Sequence, residues 1–347
     1  MTELEFKALA AQGYNRIPLV AETYADLDTP LAIYLKLAHS GPQGGRMSCL
    51  MESVVGGERF GRYSFIGLPA RTVIRASGST TEVLQDGHVA ETHEGDPLAF
   101  IESYQARFKV ALRPGMPRFC GGLAGYFGYD TVRYIEQRLG PAVKPFPDGM
   151  EEGTPDIMLL HVDELVIVDN LAGRTYLMVY ADPAQPEAYS HAQQRLLELR
   201  ARLRRPVEIP YSYASMQTEE RRDFQKADYL AAVARAKEYI AAGDVMQVQV
   251  GQVIAKPFRD APLSLYRALR SLNPRPICIS GTSAISRWSA PRRKSWCARS
   301  RSTTRAKPAR RSPSGRWPAP ASAAARPKKT WRWPPNCRPT PRSAPNT

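Results

Sequence analysis

The sequence has 347 residues, 48 of them Lys or Arg and 33 Asp or Glu, which is enough chain for about two domains and a sizeable core. Its net charge of +15 is unevenly spread: residues 276–347 hold 17 basic side chains and no acidic one, leaving 31 basic against 33 acidic residues in 1–275. The first 275 residues are therefore not a basic nucleic-acid module, and with no run of about 18 apolar residues the chain lacks a membrane-spanning helix.

The opening Met1-Thr-Glu-Leu-Glu-Phe is acidic and without the basic and apolar regions of a secretory signal. Within 1–275 there are two cysteines, Cys49 and Cys120, at no metal-ligand spacing. A cytoplasmic, reducing location is expected, with both thiols as small buried groups.

Met47 to Val55 reads as a strand, followed by a turn at Gly56-Gly57 and a second apolar segment ending at Ile66. Gly121 to Asp130 interleaves four glycines with aromatics, the pattern of a buried strand with close backbone approach. A phosphate cradle is the alternative, but neither a P-loop Lys-Ser/Thr nor a strand–GxGxxG–helix order is present. Leu165 to Val168 and Thr175 to Tyr180 flank Asp169-Asn-Leu-Ala-Gly-Arg174, a hairpin signature. Ala192, Leu196, Leu199 and Leu203 form a helical stripe that Pro206 stops. Tyr229, Val233, Ala236 and Ile240 form another, with Asp228 as expected N-cap and Gly243 as C-terminal glycine. After Gly243 the period becomes two through Met246, Val248 and Val250, which predicts a strand. Helices and hairpins interspersed in this way predict an α+β fold with antiparallel sheets.

The five histidines, 39, 88, 93, 161 and 191, form no metal-ligand pattern, and His88 and His93 are expected on a solvated turn. One cluster carries chemistry: Glu52-Ser53 at the end of an apolar run, followed by Glu58, Arg59 and Arg62. A carboxylate and a hydroxyl beside guanidinium groups can hold a zwitterion such as an amino acid. The alternative is a strand end with surface ion pairs.

Met51 to Gly67, Gly121 to Glu136 (GGLAGYFGYDTVRYIE), Tyr229 to Val250 (ending KEYIAAGDVMQVQV) and Leu265 to Pro274 together resemble anthranilate synthase component I over residues 15–274. The resemblance implies two antiparallel-sheet domains with helices. A regulatory domain is expected at 1–204, a connection at 205–222 and the start of a chorismate-binding domain at 223–275. It also implies conversion of chorismate and ammonia to anthranilate and pyruvate in tryptophan biosynthesis, with Mg²⁺ as cofactor. A glutamine amidotransferase partner supplies the ammonia and tryptophan inhibits. By the same resemblance Glu52 and Ser53 of Leu50-Met51-Glu52-Ser53 bind tryptophan, together with Pro276. Gly251-Gln252-Val253 departs from the family's Ser-Gln-Arg. The related aminodeoxychorismate synthase is the runner-up; Glu52-Ser53 favours anthranilate synthase.

The family continues Asn-Pro-Ser-Pro-Tyr-Met where this chain reads Asn273-Pro-Arg-Pro-Ile-Cys278. Residues 276–347 contain all five Trp, 12 of the 30 Pro and no Leu, Val, Phe, Tyr or Met. Such a segment is expected to be disordered. Read in an alternative frame, 277–298 permits MYFWDFGNFQVVGASPEILVR and 327–347 permits EEDVALAAELPADPKERAEH, both family-like. A one-base shift near codons 273–276 is therefore expected, giving a truncated chain without catalytic residues or Mg²⁺ ligands. The competing readings are a tryptophan-binding remnant and a basic RNA-binding arm; the arm does not account for the hidden text, and no specific nucleic-acid partner is expected.

Overall fold

The computed structural model describes residues 1–24, 27–39, 47–53, 61–112, 115–117, 119–140, 154–208, 219–222, 224–252, 254–256, 258, 261–273, 277–282 and 287–292. Helix α1 (Glu3–Ala11) starts at Thr2, whose hydroxyl accepts from the Glu5 amide while the Glu5 carboxylate accepts from the Thr2 amide. The chain continues through β1 (Ile17–Tyr24), α2 (Pro30–Tyr34), β2 (Ser48–Glu52), β3 (Tyr63–Gly67), β4 (Thr72–Ser77), β5 (Thr80–Gln85) and β6 (His88–Glu94). Next come α3 (Pro97–Ala106), β7 (Gly122–Phe127), α4 (Val132–Ile135), β8 (Ile157–Val162), β9 (Glu164–Asp169), β10 (Arg174–Ala181) and α5 (Ala188–Leu203). The last described elements are β11 (Arg221–Arg222), α6 (Lys226–Ala242), β12 (Ile254–Ala255), α7 (Pro262–Leu272), β13 (Ile277–Thr282) and β14 (Arg287–Arg292).

The strands form a seven-stranded sheet, β1-β10-β9-β3-β2-β13-β14, a five-stranded sheet, β6-β5-β4-β8-β7, and the pair β11-β12. Every ladder between these strands is antiparallel. Period-two side chains divide the seven-stranded sheet into two faces. Leu50, Ile66, Val166 and Leu177 pack against Tyr34, Leu37, Leu196, Leu199 and Tyr266 from the helices. Their alternates Met51, Leu165, Ile167 and Met178 pack against Ala124, Met158, Leu160 and Val162 of the smaller sheet. On that sheet's far side Ile74, Ala76, Ile157 and Leu159 meet Phe100, Ile101 and Tyr104 of α3. The layers run helices, sheet, sheet, helix, and the α+β expectation holds. Residues 1–300 cluster as one unit, and Tyr266, from the segment assigned to a second domain, sits in the same core cluster as Leu50.

The hairpin at 165–180 forms with Arg174 opposite Asp169. Helix α5 buries Ala192, Leu196 and Leu199 as its spacing predicts. The glycine-rich segment is β7, and a Cβ on Gly125 would overlap the Met158 carbonyl oxygen, so close approach accounts for that glycine. Cys49 and Cys120 are buried, and burial pushes both thiols up to about 11. A raised folded-state pKa gives stability that is complete below pH about 9 and lost as pH rises through 11. We expect neither thiol to react with a disulfide reagent at pH 8 in the native chain, and the melting temperature to fall between pH 9 and 11.

Several expectations are corrected. Of the strand expected over Met47 to Val55, Ser48–Glu52 forms while Met47 and Ser53 flank it, and residues 54–60, with the Gly56-Gly57 turn, lie outside the described residues. The N-cap of α6 is Gln225, and Asp228 lies in the first turn, where its charge suits the helix dipole. Residues 246–250 form no strand; period-two patterning makes a ladder only where a partner strand offers hydrogen bonds. His93 is half-buried and stacks on Phe100 at 4.9 Å, while His88 is exposed as expected but begins β6 rather than lying in a turn. The disorder expected from residue 276 is interrupted by β13 and β14, because ladder bonds use backbone atoms whatever the side chains. The rest of that segment, with most of its basic residues, lies outside the described residues.

Candidate functional site

Strand β2 ends where three elements meet. β3 pairs with it on one side and β13 on the other, with Cys278 opposite Glu52. Glu52 is 1% exposed, and α7 supplies its partners. Tyr266 Oη donates to Glu52 Oε2 at 2.8 Å and Arg270 Nη2 donates to Oε1 at 2.9 Å. Arg270 Nε also lies 2.8 Å from Oε2 as a charge contact, without hydrogen-bond geometry. A carboxylate leaves water only when its charge and lone pairs are met elsewhere, and these two side chains meet them. Burial and the neighbouring Glu52 charge hold the Tyr266 hydroxyl well above the usual tyrosine range.

Ser53 turns out of this buried strand. Its amide donates to Ser64 Oγ at 3.0 Å and its hydroxyl donates to the Tyr63 carbonyl at 2.7 Å. The Asn170 amide group donates to Ser64 Oγ at 3.1 Å, so the hairpin loop braces the serine pair. The hydroxyl proton is thereby committed, while Ser53 Oγ keeps lone pairs with which to accept.

Of the sequence-predicted cluster, the structure brings Glu52 and Ser53 together and sends Arg62 elsewhere. Arg62 forks onto Asp169 at 2.8–3.2 Å. Burial pushes the Asp169 carboxyl up, but the Arg62 fork and the Ala172 and Leu171 amides outweigh it and hold the group below its ordinary value. Glu58, Arg59 and Pro276 lie outside the described residues. Sequence reasoning missed Tyr266 and Arg270, which sit four apart on one face of α7 and reach Glu52 from more than 200 residues away. A cavity of about 260 Å³ opens nearby among Leu31, Leu35, Val207, Leu263 and Arg267; neither Glu52 nor Ser53 lines it.

Residues 56–282 match the family described as chorismate binding enzyme. The chain belongs to that family. The match spans parts of both segments expected to be separate domains and runs through β13. Anthranilate synthase component 1 of Neisseria meningitidis serogroup B is 50% identical over 279 residues, covering 80% of this chain and 55% of the relative. The protein of the same name from Pseudomonas putida is 51% identical over 283 residues, again 80% and 55% of the two chains. The chain thus spans about half the length of these relatives. Anthranilate synthase component I from Streptococcus pneumoniae has the same fold at a TM-score of 0.50 and 20% identity, covering 73% of this chain and 52% of that one.

The Mg²⁺ implied by the resemblance finds no fit among the described residues, where no three His, Cys, Asp or Glu side chains converge on a point. Mg²⁺ is held through carboxylate and other oxygen ligands, and residues 276–347 add no carboxylate. No helix of the described residues is long and apolar enough to cross a membrane.

Proposed function

We propose that this chorismate-binding-family chain carries the tryptophan-responsive part of an anthranilate synthase component I. The whole protein converts chorismate and ammonia to anthranilate and pyruvate in the cytoplasm, with a glutamine amidotransferase partner supplying the ammonia. The observation that carries the reading is 50% identity over 279 residues to proteins of that name. In this reading residues 1–204 are the regulatory domain, 205–222 the connection and 223–275 the opening of the chorismate-binding domain. Tryptophan's ammonium donates to Ser53 Oγ. Glu52, with its oxygens engaged by Tyr266 and Arg270, holds the strand end that presents Ser53 rather than making a direct contact. Pro276 belongs to the site by resemblance alone.

Calorimetric titration with tryptophan tests the site. Binding is expected, and Ser53→Ala is expected to weaken it at least tenfold, since a hydrogen bond to a charged group is worth about 1.5–3 kcal/mol. Equal binding by the variant would remove Ser53 from the site.

The chemistry is a separate question. Residues 276–347 supply no acid, base or metal ligand of carboxylate type, and we propose that they are the product of a one-base shift in the gene. The 347-residue chain is then expected to form no fluorescent anthranilate from chorismate and ammonia with Mg²⁺ present. Sequencing the gene from codon 260 onward should show the family-like text in the alternative frame; its absence there would end the frameshift reading.

A further inference from the structure

The row of β8 side chains under α3 runs Ile157, Leu159, His161, every second residue of the strand. The first two pack against Phe100, Ile101 and Tyr104. The third is an imidazole only 7% exposed. The ladders hold Thr72 of β4 and Leu123 of β7 beside it, and α3 covers it from above. The Tyr104 ring stands edge-on at 5.9 Å with its hydroxyl 3.3 Å from Nδ1, and Phe108, just past the helix, lies at 4.6 Å.

The charges around this ring do not favour an added proton. Asp163, in the β8–β9 turn, has Oδ1 3.5 Å from His161 Nε2, but its side chain is 41% exposed, so water screens much of its attraction. Arg16 Nε lies 3.8 Å from the same Asp163 oxygen, and Arg16 Nη1 lies 2.9 Å from Asp182. The Arg16 guanidinium also sits 4.8 Å over Phe108, a positive charge close to the imidazole. Arg71 and Tyr180 stand around Asp163 on its other sides. Beyond Tyr104, Arg107 forks onto Glu91 at 2.7 Å. A neutral ring fits this setting, with Nδ1 accepting from Tyr104 and an Nε2 proton facing Asp163. Burial outweighs Asp163 and, with Arg16 opposing a further positive charge, holds the imidazole below its ordinary value.

The chain just past the ring is tied down through its backbone. The Asn15 and Arg16 amides donate to the Lys109 carbonyl at 3.0 and 3.2 Å, and the Ala111 amide donates to the Arg16 carbonyl at 3.0 Å. Tyr104 and the helix that carries it are therefore the side of the enclosure that can leave. We propose that His161 makes α3 an acid-released cover. Neutral, the imidazole keeps Tyr104 and α3 seated on the five-stranded sheet; protonated, it requires water, and the helix lifts to admit it. The tryptophan reading plays no part in this.

A depressed folded-state pKa gives stabilisation that is complete above the free imidazole's value of about 6.5 and lost as pH falls through it. A single proton favours the lifted form by about tenfold between pH 7.5 and 5.5. Glu91 does not titrate in that window, because Arg107 holds its carboxyl below the ordinary value. His93, the other imidazole against α3, stacks on Phe100 and serves as the control.

Hydrogen exchange on the 347-residue chain tests the cover, with protection factors corrected for the intrinsic effect of pH. Protection of the amides from Ile101 to Ala106 is expected to fall about tenfold from pH 7.5 to 5.5, while β9 and β10 change less than twofold. His161→Gln, which keeps a donor and an acceptor but gains no proton, should abolish the fall, and His93→Gln should leave it. An α3 response no larger than that of β9 and β10 overturns the inference. So does a fall that persists in His161→Gln or disappears in His93→Gln. Should His161→Gln not fold, titration of the native His161 ring by NMR decides: a midpoint below 6.5 upholds the cover, and one at or above 6.5 overturns it.

Discussion

Replacing Arg270 with alanine is expected to lower the stability of the fold by about 3 kcal/mol, measured as a shifted urea midpoint at pH 7. The substitution leaves Glu52, 1% exposed, with the Tyr266 hydroxyl but no opposite charge. Breaking a buried pair from one side typically costs about 3–5 kcal/mol. The lower end applies because the Arg270 side chain is 36% exposed and water can follow it in. Adding Glu52→Gln should recover a substantial part of the loss, since a neutral amide needs no counter-charge and still accepts from Tyr266. If Arg270→Ala leaves the midpoint in place, the ion pair does not hold β2 to α7 in solution. If the double variant is no better than the single, what was lost is packing by the arginine stem.

Gly125→Ala is the second large effect, again about 3 kcal/mol and read by the same midpoint, through overpacking. The added methyl would overlap the Met158 carbonyl oxygen and lie 2.9 Å from Leu159 Cα. Both are backbone of the paired strand β8, which cannot swing aside as a side chain can. Gly122 makes the control. It has φ +99 with nothing within 4 Å of a new Cβ, so Gly122→Ala meets only conformational strain of about 1–2 kcal/mol. The reverse order would mean that backbone conformation, not space, limits this strand.

Local patterning carried the sequence reading where a structure is made from neighbours. The hairpin at 165–180 and the α5 stripe depend on residues a few positions apart, and periodicity finds both. The Glu52-Ser53 strand end was legible for the same reason. Glu52's real partners were not, because Tyr266 and Arg270 lie on a helix whose own pattern gives no sign of which strand it will meet. Arg62 was misplaced by the converse error: it is close to Glu52 in sequence, but Asp169 offers a buried carboxylate across the adjacent strand. Composition failed at β13, where an unusual segment still begins with Ile277-Cys-Ile and offers an ordinary backbone to the β2 edge. The Met246 to Val250 strand failed in the opposite sense: the pattern is present, and among the described residues no strand pairs with it.

The order of strands in the large sheet also sets a schedule for synthesis. β2 is buried along its whole length, and the strand that closes one of its edges, β13, leaves the ribosome roughly 220 residues later. At about 5–20 residues per second, that edge waits on the order of 10–45 s. For that interval a nascent chain presents open amide and carbonyl groups on an apolar strand, a template for pairing with a neighbouring nascent chain. Yield in cells should therefore respond to translation speed and chaperone supply more strongly than the finished fold's resistance to urea would indicate.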